Sequence, residues 1–318
     1  MSQNQLLFTP GTLWEKLKQQ TEYALECGAL QPIPTEYEFV QQDNIRFLVR
    51  ILSNLSRKDE ATKQQKKNKA ETGKDFNPFL PYEQDLFVAD ISKTHLCLLN
   101  KYNVVDNHLL IVTREFEEQE NLLNLQDFQA LGCCMGEFDG LAFYNAGKVA
   151  GASQRHKHLQ MIPLPMVLDG ERIPIERAIA TARFDNGIGV TSDFPFQHAL
   201  AKLDSGWINS PVDYAGEILA SYFALLKAVG IEDGDHKSGK QSGDYNLLVT
   251  REWMLVVARS HESFKSISVN SLGFAGALLV KNREQMKIIK EHKPLNILRD
   301  VARRRRTESG GPSHIMSA

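Results

Sequence analysis

Gly151-Ala152-Ser153-Gln154-Arg155-His156-Lys157-His158-Leu159-Gln160 is the stretch on which the reading of this chain turns. A run of small residues ends in two histidines and a glutamine at i, i+2 and i+4, followed by the apolar pair Met161-Ile162. In an extended segment alternate side chains share a face. His156, His158 and Gln160 then form one row, its members roughly 6.5 Å apart, twice the strand rise. Such a row straddles a phosphate and its neighbours. A neutral imidazole attacks phosphorus without first losing a proton. A lone strand histidine is more often a core or surface residue, and a pair at i, i+2 is also half of a metal site. The third polar residue in register and the small-residue loop before it favour phosphate chemistry over both.

Working outward, Leu125 to Asn145 is expected to be helical, with Leu131, Met135 and Phe138 at helical spacing, leading through Gly147 into the loop. Before it, Leu86–Ala89, His95–Asn100 and His108–Thr113 are apolar runs that suit central strands, and Phe47–Leu52 reads as another. His108, just ahead of its strand, is read as a structural histidine. A helix is expected from Thr12 to about Cys27. The second half repeats part of this plan: a helix from about Glu217 to Gly230, then strands Tyr245–Thr250 and Trp253–Ala258 joined by a tight turn at Arg251-Glu252. The expected fold is α+β, a mostly antiparallel sheet with packed helices. Ser56 to Asp75 has almost no apolar residue, so its middle, 59–73, is expected to be a mobile charged loop. The tail, 301–318, is expected to be flexible, and Arg303-Arg304-Arg305-Arg306 reads as a solvated chain end before it reads as a nuclear or RNA signal.

At 318 residues the chain is long enough for one large domain or two smaller ones, and 42% hydrophobic with 24% charged residues is ordinary globular composition. A formal charge of −2 argues against a nucleic-acid binder with a globally basic surface, so any anion must be held by local cations. Cys27, Cys97, Cys133 and Cys134 form no C-x-x-C pair, so no structural zinc is expected, and their apolar settings suit reduced thiols. Without a signal-like start or a ~20-residue apolar span, no membrane is expected and the cytoplasm is the expected location.

The loop and histidine strand closely resemble the signature of the ATP adenylyltransferases, also called diadenosine tetraphosphate phosphorylases, within the histidine-triad and galactose-1-phosphate uridylyltransferase superfamily. Asn77-Pro78-Phe79-Leu80-Pro81, Leu99 to His108, Tyr245-Asn246-Leu247-Leu248 and Ser268 to Gly276 match as well, so the resemblance runs from about 45 to 285. It implies a histidine-triad-like sheet. Residues 1–200 would be the catalytic region with the H-x-H-x-Q motif, 201–300 an α+β region completing the nucleotide site, and 301–318 a tail. It also implies a reversible reaction in which diadenosine tetraphosphate and phosphate give ATP and ADP, through an adenylyl group carried on His158. Substrate contacts are implied for Lys58, Ser92, Lys93, Asn145, Gly151, Ala152, Ser153, Gln154, His156, Gln160, Asn270, Ser271 and Lys281. A divalent cation such as Mg²⁺ would travel on the substrate's phosphates. The oligomeric state is not legible.

Gln160 separates the readings. Related triad hydrolases carry a histidine there, which exchanges protons, whereas a glutamine only hydrogen-bonds. That favours transfer to an anionic acceptor such as phosphate over hydrolysis. The alternatives are a triad hydrolase or uridylyltransferase using the same histidine, or a non-catalytic dinucleotide sensor.

Overall fold

The computed structural model describes residues 6–53, 76–231 and 239–305. Lys58, the charged loop expected at 59–73 and residues 306–318 of the tail lie outside the described residues. The chain opens with helix α1 (Leu13–Glu26) and a hairpin of β1 (Thr35–Gln42) and β2 (Ile45–Leu52). The strands β3 (Phe87–Asp90), β4 (His95–Leu99) and β5 (Leu109–Thr113) follow, then α2 (Leu125–Glu137), β6 (Gly140–Ala146) and β7 (His158–Pro163). After the short α3 (Glu176–Ala180) come β8 (Arg183–Asp185), β9 (Ile188–Val190), β10 (His198–Lys202), α4 (Pro211–Ala228), β11 (Tyr245–Val249) and β12 (Trp253–Ala258). The hairpin β13 (Ser263–Phe264) and β14 (Ile267–Ser268), α5 (Ser271–Phe274), β15 (Ala277–Val280), α6 (Arg283–His292) and α7 (Pro294–Val301) complete it.

The α+β reading stands. Ten strands form one antiparallel sheet in the order β3-β4-β5-β7-β6-β11-β12-β10-β9-β8. Read inward from its two edges, the order is 3-4-5-7-6 and 8-9-10-12-11, so the second half repeats the first and the halves meet at β6 and β11. Helix α2 lies between β5 and β6 in sequence, and α4 between β10 and β11, which completes the correspondence.

One expectation fails. The helix from Leu125 stops at Glu137, and residues 140–146 are the central strand β6. Asn124 starts the helix with a capping box to Asp127, but Phe138 is extended (φ −154°, ψ 158°). A Cβ at Gly140 would stand 2.9 Å from the Ile162 carbonyl oxygen, so a glycine is needed where β6 presses against β7. Beyond it the burial has a period of two: Leu141 and Phe143 enter one core, Ala142 and Tyr144 the other. Three apolar residues at helical spacing had masked that alternation.

Helices α1, α2 and α4 cover one face of the sheet, with Leu17, Phe128 and Tyr222 in the same core as Leu159 and Met161 of β7. The other face carries the three-stranded sheet β1-β2-β15, whose β2–β15 pair is parallel. Leu48 and Leu278 pack there with Phe143 of β6 and Leu255 of β12. A smaller cluster of Phe79, Leu96, Leu98, Leu110 and Val112 lies on the side of β5. His158 faces Val112, and Gln160 lies between Leu110 and Phe143. The polar row of β7 therefore occupies the gap between two apolar clusters. Among the described residues, no helix is long and apolar enough to cross a membrane.

Candidate active site

His158 is the first residue of β7 and is 5% exposed. Its Nδ1 lies 2.8 Å from the His156 carbonyl oxygen. A carbonyl only accepts, so the proton sits on Nδ1 and Nε2 keeps its lone pair. Nε2 has no hydrogen-bond partner among the described residues. Burial pushes the ring's pKa down to about 4, with the His156 carbonyl opposing and the His156 ring reinforcing the shift. The side chain is thus a neutral, oriented imidazole at pH 7, with a lone pair on Nε2 of the kind that can attack phosphorus.

Three neighbours hold it there. The Gln119 side chain accepts from the His158 amide at 2.9 Å and donates to the carbonyls of His158 at 3.2 Å and Asn145 at 3.1 Å. It fills the opening where β6 and β7 diverge, replacing ladder bonds that the backbones no longer make. The Phe79 ring packs 5.1 Å from the His158 ring, centroid to centroid. His156 is 1% exposed, and its ring is fully engaged. Its Nε2 donates to the Thr113 carbonyl at 2.8 Å, and its Nδ1 accepts from the Asn77 amide at 2.9 Å. His156 precedes the regular strand and pairs only as a bridge with Glu118, so its ring turns aside from the row. It reaches His158 through its backbone. Lys157 points to the helix face, fully buried, with Nζ 2.6 Å from Asp127 and 3.0 Å from Glu117.

Gln160 shares the open face with His158. Its Oε1 lies 3.0 Å from His108 Nε2, and its amide nitrogen has no partner among the described residues.

The loop before the row is wound tightly by glycine. Gly147 (φ +91°) and Gly151 (φ +92°) adopt left-handed backbone. A Cβ on Gly151 would stand 2.9 Å from the Asn270 Cβ, which brings the loop against the segment before α5. The amides of Gly151 and Ala152 close the turn on Lys148 and Gly147, at 3.0 Å and 3.2 Å. The amides of Ser153 and Gln154 have no acceptor among the described residues. The loop thus presents its open donors two and three residues after Gly151.

Asn145, Asn246 and Ser271 form a buried network. Asn145 Oδ1 accepts from Asn246 at 3.0 Å, the Ser271 amide at 2.9 Å and the Ser271 hydroxyl at 2.8 Å. Ser271 is fully buried and donates inward. Arg259, 2% exposed, backs the network, donating to Asn246 Oδ1 at 2.6 Å and the Val269 carbonyl at 2.8 Å. Burial pushes its pKa down to about 10. Asn270 caps α5 through the Leu272 amide. Asn145 Nδ2 is left without a partner among the described residues.

Other expected residues lie apart. Ser92 and Lys93 belong to the β3–β4 turn, where Ser92 Oγ accepts from the amides of Thr94 and His95. Lys281 is exposed just after β15. None of the three makes a hydrogen bond to the histidine row among the described residues. There, too, no three His, Cys, Asp or Glu side chains converge as a metal site. Sequence reasoning passed over Gln119 and Arg259. It quoted Asn77-Pro78-Phe79 and Tyr245-Asn246 only as matching stretches, and that match was the one available signal for Asn77, Phe79 and Asn246.

Residues 3–181 match the model of the Ap4A phosphorylase N-terminal domain, and residues 192–304 that of the ATP adenylyltransferase C-terminal domain. Diadenosine 5',5'''-P1,P4-tetraphosphate phosphorylase 2 of Saccharomyces cerevisiae is 29% identical over 273 residues, covering 79% of this chain and 81% of the relative. Protein APA1 of the same yeast is 26% identical over 305 residues, covering 89% and 91%. The crystal structure of yeast Ap4A phosphorylase Apa2 superimposes with a TM-score of 0.74 at 23% identity, covering 97% of this chain and 99% of that one. At that identity the likeness establishes the fold.

Proposed function

We propose that this chain, which belongs to the Ap4A phosphorylase and ATP adenylyltransferase family, is a nucleotidyltransferase that cleaves diadenosine tetraphosphate with phosphate to give ATP and ADP. In the first half-step His158 Nε2 attacks the α-phosphorus. An N–P bond forms, the bond to the bridging oxygen breaks, and ATP leaves. In the second, a phosphate oxygen attacks the same phosphorus, the N–P bond breaks, and ADP leaves with the neutral imidazole restored. The two steps run equally in reverse.

The observation that carries this reading is the His158 ring, with Nδ1–H tied to the His156 carbonyl and Nε2 unpartnered among the described residues. When Nε2 bonds to phosphorus the ring becomes cationic, and its Nδ1–H bond to that carbonyl strengthens as charge develops. His158 is thus held in the one tautomer that the reaction needs. The unpartnered donors of Ser153, Gln154, Asn145 and Gln160 are proposed to take phosphate oxygens. Gly151 and Ala152 would shape the loop, and His156, Asn270 and Ser271 would contribute by holding other groups. Lys58, Ser92, Lys93 and Lys281 are proposed as the cations and donors of the outer phosphates, and Mg²⁺ as a companion of the substrate. Gln160 has no proton to exchange, which favours phosphate over water as acceptor.

Intact-mass analysis of protein quenched after mixing with diadenosine tetraphosphate, without phosphate, tests the reading. The expected result is one adenylyl group per chain, absent in His158→Ala and discharged by added phosphate. An unmodified protein that nevertheless turns over with phosphate would overturn the two-step route.

A further inference from the structure

Gln160 ends a chain of polar groups, half-buried at its two ends and buried at His108 between them, that begins two strands away. Asn100 follows β4, and His108 stands at the start of β5. The Asn100 amide donates to the His108 carbonyl at 3.0 Å, which pins the two residues together. The Asn100 side-chain nitrogen lies 3.2 Å from His108 Nδ1, and His108 Nε2 lies 3.0 Å from Gln160 Oε1. His108 is 7% exposed, and its ring packs 5.7 Å from that of Phe143.

The donors and acceptors run one way along this chain. The Asn100 NH₂ donates to Nδ1, so the His108 proton sits on Nε2 and is donated to the Gln160 carbonyl oxygen. Only the NH₂ end of Gln160 is left for the open face. The geometry points to Asn100 and His108 as a relay that holds Gln160 with its amide nitrogen toward the transferred phosphoryl group, making His108 a positioning residue for the reaction. The inference rests on the adenylyl transfer proposed above.

Orientation matters because a carboxamide has two nearly isosteric ends of opposite polarity. Turned over, Gln160 would aim its carbonyl oxygen at an anionic phosphate and repel it. A free amide samples both orientations, whereas one committed at its oxygen is pre-organised as a donor. Burial keeps His108 neutral, its pKa pushed down to about 4, so the relay keeps its direction across the physiological range. The nearby His158 is neutral too, and contributes the smallest part of that shift.

The test is a double-mutant cycle on diadenosine tetraphosphate phosphorolysis, with wild type, His108→Phe, Gln160→Leu and the double variant, and with His108→Gln as a rescue. The glutamine amide nitrogen mimics imidazole Nε2 and keeps the donor. His108→Phe is expected to lower kcat roughly 10-fold, with KM for the dinucleotide changed less than about 2-fold; one oriented donor is typically worth 10² or more. The double variant should be no slower than Gln160→Leu, and His108→Gln should recover most of the loss. A wild-type rate in His108→Phe, additive losses in the double variant, or a His108→Gln no better than His108→Phe would overturn the relay. Imidazole ¹⁵N shifts of the wild-type protein give a second measurement, independent of turnover and of how the variants fold. Nε2–H at His108 is expected, and Nδ1–H contradicts the relay. A wild type without phosphate-dependent turnover would sink the proposed reaction instead, and the shifts would still decide the relay.

Discussion

Strands β7 and β12 hold matching places in the two halves of the sheet, yet only one carries a histidine and a glutamine there. His158 faces Val112 on β5, and Gln160 lies between Leu110 and Phe143. On β12, Trp253 faces Lys202 on β10, and Leu255 lies between Leu200 and Leu248. The row of His156, His158 and Gln160 thus corresponds to Arg251, Trp253 and Leu255. The connections differ as much as the rows. Residues 147–157 separate β6 from β7, whereas β11 returns to β12 in a tight turn, with the Thr250 amide donating to the Trp253 carbonyl at 2.9 Å. Trp253 and Leu255 are sealed in the core beneath the small sheet. The comparison teaches that the fold supplies the position. The long loop and the polar groups around β7, namely Asn77, Gln119, Thr113 and His108, turn that position into a site.

Removing the apolar row should leave chemistry intact. Trp253→Ala is expected to cost about 3–5 kcal/mol of stability, as large core truncations do. Its kcat per folded molecule should stay within about 2-fold of wild type. Denaturant unfolding and turnover at low temperature check this, and a selective loss of kcat would break the comparison.

Disturbing the support of the polar row should do the reverse. Gln119→Ala leaves the His158 amide and two carbonyls without their partner. It should destabilise by about 2 kcal/mol, within the ~1–3 kcal/mol of an unmade buried hydrogen bond. The larger consequence is kinetic, a drop in kcat of roughly 10- to 100-fold because the nucleophile is no longer held. Equal kcat in the two proteins would show that β7 needs no clamp.

Exchanging one member of the row sharpens the same point. Gln160→His introduces a group that exchanges protons. The ratio of AMP-forming hydrolysis to phosphorolysis should rise several-fold in chromatographic product analysis, and an unchanged ratio would remove Gln160 from the choice of acceptor.

The smallest expected effect is a flat pH profile. Burial pushes His158 and His108 near the site, and His198 in the second half, down to about 4. His198 repeats part of the His158 pattern, with Nδ1 2.8 Å from the Phe196 carbonyl, but its Nε2 accepts the Thr191 amide at 3.0 Å and so is not free. The unfolded chain takes up these protons near pH 6.5 and the folded chain only near 4. The stability that they contribute is therefore complete above about pH 6.5 and is lost as pH falls from there toward 4. Well above pH 4 His158 stays neutral. The first half-step, measured as ATP release without phosphate, should change less than about 2-fold between pH 5.5 and 8. An unperturbed histidine would lose about 10-fold at pH 5.5, and such a loss would contradict the burial argument.

Much of this was legible in the sequence, because strand alternation and small-residue loops are local signals. The β4, β5, β11 and β12 strands follow from apolar runs, the turn at Arg251-Glu252 from the two polar residues between two such runs, and the face shared by His158 and Gln160 from spacing. What was not legible depends on partners distant in sequence. Gln119 sits in the polar run Glu117-Glu118-Gln119-Glu120, and nothing there marks it as buried. His108 reads as a structural histidine until β5 and β7 pair and bring Gln160, 52 residues away, to its Nε2. Leu131, Met135 and Phe138 carried the helix reading past its end, because a few residues at one spacing cannot show where another period begins.

Product analysis of diadenosine tetraphosphate cleavage with and without phosphate, in wild type and His158→Ala, tests the central claim most directly. The account predicts ADP, and ATP beyond one equivalent per chain, only when phosphate is present, and neither in the variant. AMP and ATP formed without phosphate, or turnover that survives in His158→Ala, would contradict it.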